Sequence, residues 1–292
     1  MENKQITHNF LMVRPASFEI ADEAIQSNIL QEFDAAIDVL RKHGVNVLVV
    51  EDTKSPSKPN AIFASHWIST HSDGHVITYP LADQERRTER RKDLLSLLEK
   101  EFVVKQYHHL EQYEANNRFL EGTGSIVFDR VHKVAYGCTS DQTDATLLMK
   151  LCDVLAYQPA SFRATDKRER AIYHTNMMMT VSDKFAVVCM EAVQDGADEL
   201  LLKQFLRTTM KSIINISRDQ MYAFAGNMLQ ISSLDGNKYL LMSENAKKSL
   251  SSTQIDQIQS HNPILALSIP SIEKYMGGGI RSMLVEIFLT KK

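Results

Sequence analysis

His174, Glu121 and Ser282 are of the residue types that carry proton transfer and nucleophilic attack. His174 stands just before the apolar run Met177-Met178-Met179. An imidazole can give or take a proton near neutral pH, yet a lone histidine is more often a hydrogen-bonded core residue. Glu121 lies in Phe119-Leu120-Glu121-Gly122-Thr123-Gly124. A carboxylate among apolar residues and glycines is costly to bury without a partner. It therefore pairs with an internal arginine or holds a cationic or hydrogen-bonding substrate. Ser282 follows Gly277-Gly278-Gly279-Ile280-Arg281. That segment is no dinucleotide fingerprint, because no helix is expected after it. It fits close backbone approach ahead of a final strand over 284–289. Ser282 alone has no catalytic standing, and Asn227, between Gly226 and Met228, reads equally well as a turn cap.

The company these residues keep makes the case stronger. They fall in five polar segments, 60–67, 120–125, 173–176, 224–228 and 277–283, each following a strand that itself follows a helix. Ile25, Ile29, Phe33, Ile37 and Leu40 recur at helical spacing, Gly44 stops the pattern, and 45–50 reads as a buried strand. The same order returns with helices over 87–102, 141–157, 197–210 and 244–260, the last with Ser243 as N-cap. Their strands are expected at 103–104, 160–162, 213–216 and 264–267. Between them lie hairpin candidates, 126–128 with 134–136, 177–181 with 185–188, and 229–231 with 239–242, the last turning at Asp235-Gly236. Units spaced by roughly 50 to 65 residues argue for a repeat architecture. No linker separates them, so a single domain over 1–292 is expected, an α/β propeller of five blades built from hairpin-helix-strand units. The plainer alternative is an ordinary mixed α/β sheet. In a rotational repeat the five polar segments point at one axis and share one site.

Composition excludes several classes. The chain has 292 residues, 43% hydrophobic and 24% charged, with a net charge of -3. Those values are ordinary for a globular protein and carry no basic excess of the nucleic-acid-binding kind. No apolar run approaches the roughly 20 residues of a membrane span, and Met1-Glu2-Asn3-Lys4-Gln5 has no signal-peptide character. Cys138, Cys152 and Cys189 are too few and scattered for a disulfide framework or a zinc site, which points to a reducing cytoplasmic setting. The run Arg86-Arg87-Thr88-Glu89-Arg90-Arg91-Lys92 reads as a solvated helix face; the other reading is a salt-bridged contact in a homodimer.

In this order, the five segments resemble the guanidine-group-modifying superfamily of arginine deiminases, dimethylarginine hydrolases and amidinotransferases, and most closely its citrulline-utilising hydrolase branch. The resemblance runs from Met12-Val13-Arg14-Pro15 to the 277–288 region. It implies a five-bladed α/β propeller, and it implies roles for single residues. His174 matches the catalytic acid/base, Glu121 the carboxylate that orients the amidino nitrogens, and Ser282 the place of the nucleophilic cysteine. Ser65, His66, Asn176, Asn227 and Arg281 fall at substrate-binding positions. The branch reads Asn-Asn where this chain has Ser65 and His66, and arginine-acting members carry an Asp at His66 and another at Asn176.

The implied activity is hydrolysis of a non-peptide C–N bond in a ureido or guanidino compound, a citrulline-like small molecule, with no metal or organic cofactor. The alternatives are a binding protein that has lost its nucleophile, and an amidinotransferase. A resonance-stabilised ureido carbon needs a strong nucleophile, and a thiol of pKa ~8.5 ionises far more readily than a serine hydroxyl. Of the matched positions only Glu121 is acidic, so a neutral ureido group is expected to bind better than a guanidinium cation, unless Asp73 or Asp129 restores the balance.

Overall fold

The structure is a computed structural model and describes residues 4–292. Met1, Glu2 and Asn3, part of the stretch read for a targeting signal, lie outside the described residues. No helix among the described residues is long and apolar enough to cross a membrane.

The first unit shows how the sequence builds its elements. Strand β1, Asn9–Arg14, leads to the helix Glu23–Lys42. Asp22 caps that helix, its carboxylate accepting from the N–H groups of Ala24 and Ile25. Its Ile29, Phe33, Ala36, Ile37 and Leu40 face inward. The chain then turns at Gly44, φ +73°, into β2, Asn46–Glu51, which lies parallel to β1.

Four more units follow this plan, giving five three-stranded sheets. They are β3 (Ile68–Thr70), β4 (His75–Thr78) and β5 (Gln106–His109); then β6 (Ile126–Asp129), β7 (Val134–Cys138) and β8 (Gln158–Phe162). Next come β9 (Met179–Val181), β10 (Phe185–Val188) and β11 (Ser212–Asn215), and finally β12 (Leu229–Ser232), β13 (Lys238–Ser243) and β14 (Ile264–Leu267). In every sheet the central strand pairs antiparallel on one side and parallel on the other. In the first sheet the antiparallel partner is β15, Val285–Glu286, from the far end of the chain.

Each sheet is tied to the next. The Thr70 hydroxyl donates to Glu286 O at 3.0 Å, and Leu120 N–H to Pro80 O at 3.3 Å. Gln5 bridges Phe128 O and Val181 O, and the Thr180 hydroxyl donates to Met228 O at 2.8 Å. Leu234 N–H donates to Gly44 O at 2.8 Å, which joins the fifth sheet to the first unit.

Several elements depart from expectation. The helix expected over 87–102 begins at Lys92, and Glu85–Glu89 forms a separate 3-10 turn. The strand expected at 103–104 lies at β5, because Val103 N–H is taken by Thr290 O. The 141–157 helix spans Ala145–Leu155, since the Asp144 side chain caps it through Leu147 N–H. The 244–260 helix is split into Glu244–Ser249 and Ser252–Gln259, because Leu250 is extended and Ser251 opens a new capping box. Ser243 caps the first of these. A 3-10 turn, Ile280–Met283, does follow the triple glycine, and the last strand is only Val285–Glu286.

Candidate active site

Each polar segment is held by a local device. Thr175–Met177 forms a 3-10 turn, and the Thr175 hydroxyl donates to Ser125 O at 2.5 Å while receiving Cys138 N–H at 2.7 Å. That anchor fixes His174 on one side and Asn176 on the other. Gly122 has φ +48°, and a Cβ there would stand 2.3 Å from Ser65 O, so the backbone beside Glu121 requires glycine. Gly279 is needed for proximity: its Cβ would meet Asn227 Oδ1 at 2.4 Å.

The result is a cavity of about 120 Å³ lined by His66, Arg86, His174, Asn176, Asn227 and Ser282, with Phe63, Tyr173 and the triple glycine among its other walls. His174 Nε2 lies 2.7 Å from Glu121 Oε2. Burial pushes the Glu121 carboxyl up, but the His174 hydrogen bond and charge, the Arg86 charge and the Ala82 N–H outweigh it and hold the group below the usual range. Glu121 thus grips His174 from behind and is not a wall of the cavity. His174 Nδ1 has no hydrogen-bond partner among the described residues.

His66 and His174 have ring centroids 4.5 Å apart. Burial pulls His66 well below the usual histidine range, with the charges of His174 and Arg86 adding to it, so the ring is neutral. Arg86 Nη2 lies 3.3 Å from His66 Nδ1. A guanidinium can only donate, so Nδ1 accepts and Nε2 carries the hydrogen. That Nε2–H has no partner. The Ser282 Oγ receives Asn176 Nδ2 at 3.3 Å and Asn227 Nδ2 at 3.4 Å. Ser65 is a support and not a wall, its hydroxyl donating to Ser282 O at 2.7 Å.

Besides Ser65 and Glu121, which support the cavity without lining it, two arginines are placed against expectation. Arg281 is buried but does not line the cavity; it donates from Nη1 to Thr180 Oγ1 at 3.2 Å. Burial there lowers its pKa to about 10. Arg86, read as part of a solvated face, is a cavity wall, paired with Glu89 at 2.9 and 3.0 Å and 3.6 Å from Glu121. Glu89 is 2% exposed. The fixed carboxylates of Glu89 and Glu121 draw this arginine inward, whereas the surrounding run of alternating charges gives no sign of which member is buried. Neither Asp73 nor Asp129 lines the cavity. The three cysteines lie elsewhere, and burial pushes Cys138 and Cys152 up to about 12 and Cys189 to about 11. His66, Glu121 and His174 each offer a ligand atom within 4.8 Å of the others, the set among the described residues that could hold a metal ion. In the structure two of those atoms satisfy each other.

Five small three-stranded sheets and a family match over nearly the whole chain put it in the class already named: the chain is a member of the guanidino-modifying superfamily. Residues 3–289 match the family described as N,N dimethylarginine dimethylhydrolase, eukaryotic, and the chain belongs to that family. No protein of curated function matches the sequence.

Among solved structures, the fold is similar to the N-terminal domain of ArgZ, an arginine dihydrolase from the ornithine-ammonia cycle in cyanobacteria, solved as a cysteine-to-serine mutant bound to substrate. The two are 15% identical with a TM-score of 0.74, over 96% of this chain and 99% of that one. The chain spans 39% of full-length ArgZ. DDAH from Pseudomonas aeruginosa, solved as a cysteine-to-serine mutant complexed with citrulline, is 14% identical with a TM-score of 0.69, over 98% of this chain and 100% of that one. At these identities the likeness speaks for the fold.

Proposed function

We propose that this is a hydrolase scaffold for a C–N bond of a ureido or guanidino compound, with a citrulline-like ligand in the cavity of Ser282 and His174. The five sheets are read as blades of one closed propeller, a single domain whose axis carries that cavity. The observation that carries the reading is the convergence of Ser282, His174, Asn176, Asn227 and His66 on one small cavity, in a chain whose family is named for dimethylarginine hydrolysis. In the reaction, a nucleophile at position 282 adds to the ureido carbon, one C–N bond breaks, and His174 supplies the departing nitrogen with its proton. Water then cleaves the covalent intermediate.

A second reading is favoured by the surroundings of Ser282. Its Oγ has only amide donors as partners, and the Nε2 of His174 is committed to Glu121, so no base is bonded to the hydroxyl. As it stands the chain binds its ligand and turns over slowly or not at all. That the arginine dihydrolase domain and the Pseudomonas enzyme hold ligands as cysteine-to-serine mutants supports this.

The cavity also supports the preference for a neutral head group. Its walls hold the Arg86 cation, a neutral His66 and no carboxylate. A ureido oxygen can accept from the free His66 Nε2–H; a guanidinium has nothing to offer it. The deciding experiment is Ser282→Cys incubated with citrulline, arginine and N-methylated arginines, with released ammonia and amine measured. Turnover of a ureido compound is expected. No turnover across the panel overturns the hydrolase reading.

A further inference from the structure

Two side-chain amides from different sheets aim at one atom. Asn176 precedes β9, Asn227 precedes β12, and both donate to the Ser282 Oγ, which lies in the turn before β15. The Asn227 amide is fixed, and the Asn176 backbone is held by the adjacent Thr175 anchor. Asn227 Oδ1 accepts Arg281 N–H at 3.1 Å, which sets its orientation, and its Nδ2 also reaches Asn176 O at 3.2 Å. Asn176 is 1% exposed and Asn227 3%. The contacts to Oγ, at 3.3 and 3.4 Å, exceed the ~2.7–3.2 Å of ordinary N–H···O bonds. A sulfur atom, on a longer bond to carbon and with a larger radius, fills that gap. The arrangement holds a hydroxyl loosely and has room for a longer carbon–sulfur bond.

We propose that Asn176 and Asn227 form a two-donor cradle that stabilises negative charge on the side-chain atom of position 282, and so act on the nucleophile more than on the substrate. This rests on reading position 282 as the nucleophile's place. Hydrogen bonds to the charged form favour that form. Without such donors a buried thiol in this protein goes the other way, as Cys138 does. A serine hydroxyl ionises too weakly for two neutral amides to matter, which leaves Ser282 inert and its own hydrogen free for a ligand. The charged and titratable groups facing position 282 are His66, Arg86, Tyr173 and His174, with Glu121 behind His174 and Arg281 directed toward Thr180. They stay constant when only the amides are changed.

The test is the thiol pKa of full-length Ser282→Cys, read from the pH dependence of thiolate absorbance and of iodoacetamide alkylation. The Ser282 protein, with its three buried cysteines, is the blank. The expected pKa lies about one unit or more below the ordinary ~8.5. Adding Asn176→Ala raises it by roughly one unit, and adding Asn176→Asp, which sets a negative charge beside the sulfur, raises it further. Asn227→Ala also removes a backbone contact, so Asn176, whose side chain bonds only to Ser282, carries the test. A pKa at or above the ordinary value, or one that Asn176→Ala does not move, overturns the cradle. The readout needs no substrate. A lowered pKa without turnover overturns the hydrolase reading and keeps the cradle, and turnover with an unmoved pKa does the reverse.

Discussion

His66 is neutral in the folded protein because burial opposes its charge. In the unfolded chain it takes a proton at the ordinary value of about 6.5. Below that pH the unfolded state binds a proton that the folded state refuses, so stability is present above the unfolded value and lost as pH falls. Urea midpoints at pH 7.5 and 5.5 should therefore drop on acidification, and drop less in His66→Gln. His71, also pulled well below its usual range by burial, and His8 and His108, lowered by burial as well, sustain the remaining loss. An equal drop in both proteins would refute the assignment. Glu121 acts in the same direction at lower pH: its stabilisation is present above the ordinary carboxylate range and lost as pH falls through its depressed folded value. Catalysis belongs to this scale too. In Ser282→Cys, adding His174→Ala should cut turnover of a ureido substrate by about 10²–10⁴-fold. A smaller loss would remove His174 from the proton-transfer role.

Among the elements, glycine separates packing from conformation. Gly226 lies outside the positive-φ region, yet a Cβ there would stand 2.1 Å from Met177 O, where the turn ahead of β12 packs on the turn ahead of β9. Gly226→Ala should cost about 1–3 kcal/mol or more in urea unfolding, because backbone must move to admit it. Gly196 opens the helix Gly196–Thr208 with nothing within 4 Å of its Cβ position. Gly196→Ala should be neutral or stabilising by up to about 1 kcal/mol. Equal costs for the two would show that the contact around Gly226 is not tight. The helical periodicities were legible because each helix must bury one face on its own sheet. The break at Leu250 was not, since Ser251 competes with helix continuation through a cap that spacing does not reveal.

At the scale of the molecule, every sheet contributes a wall or a support to the cavity, so ligand and fold are coupled. Heating should give one cooperative transition, and citrulline should raise its midpoint as a ligand of the native state alone. Two separated transitions would contradict a single domain. Calorimetry on the Ser282 protein should find citrulline bound more tightly than arginine, because the cavity presents Arg86 and no carboxylate to an incoming cation. Arginine binding as tightly or more so would refute the charge argument.

Sequence alone determined the repeat of helix and strand and the polar segments that follow each strand. It also set the expectation that His174, Glu121 and Ser282 belong to one family pattern. These depend on local spacing, which a chain carries wherever it folds. The tertiary structure decided which side of each segment faces inward. Arg86 left the expected solvated face because Glu89 and the distant Glu121 neutralise it in the interior. Arg281 turned from the cavity to Thr180, and Asn227 turned from a simple cap into a donor toward Ser282. Burial of a charge or an amide depends on the partner it meets, and those partners come from other sheets.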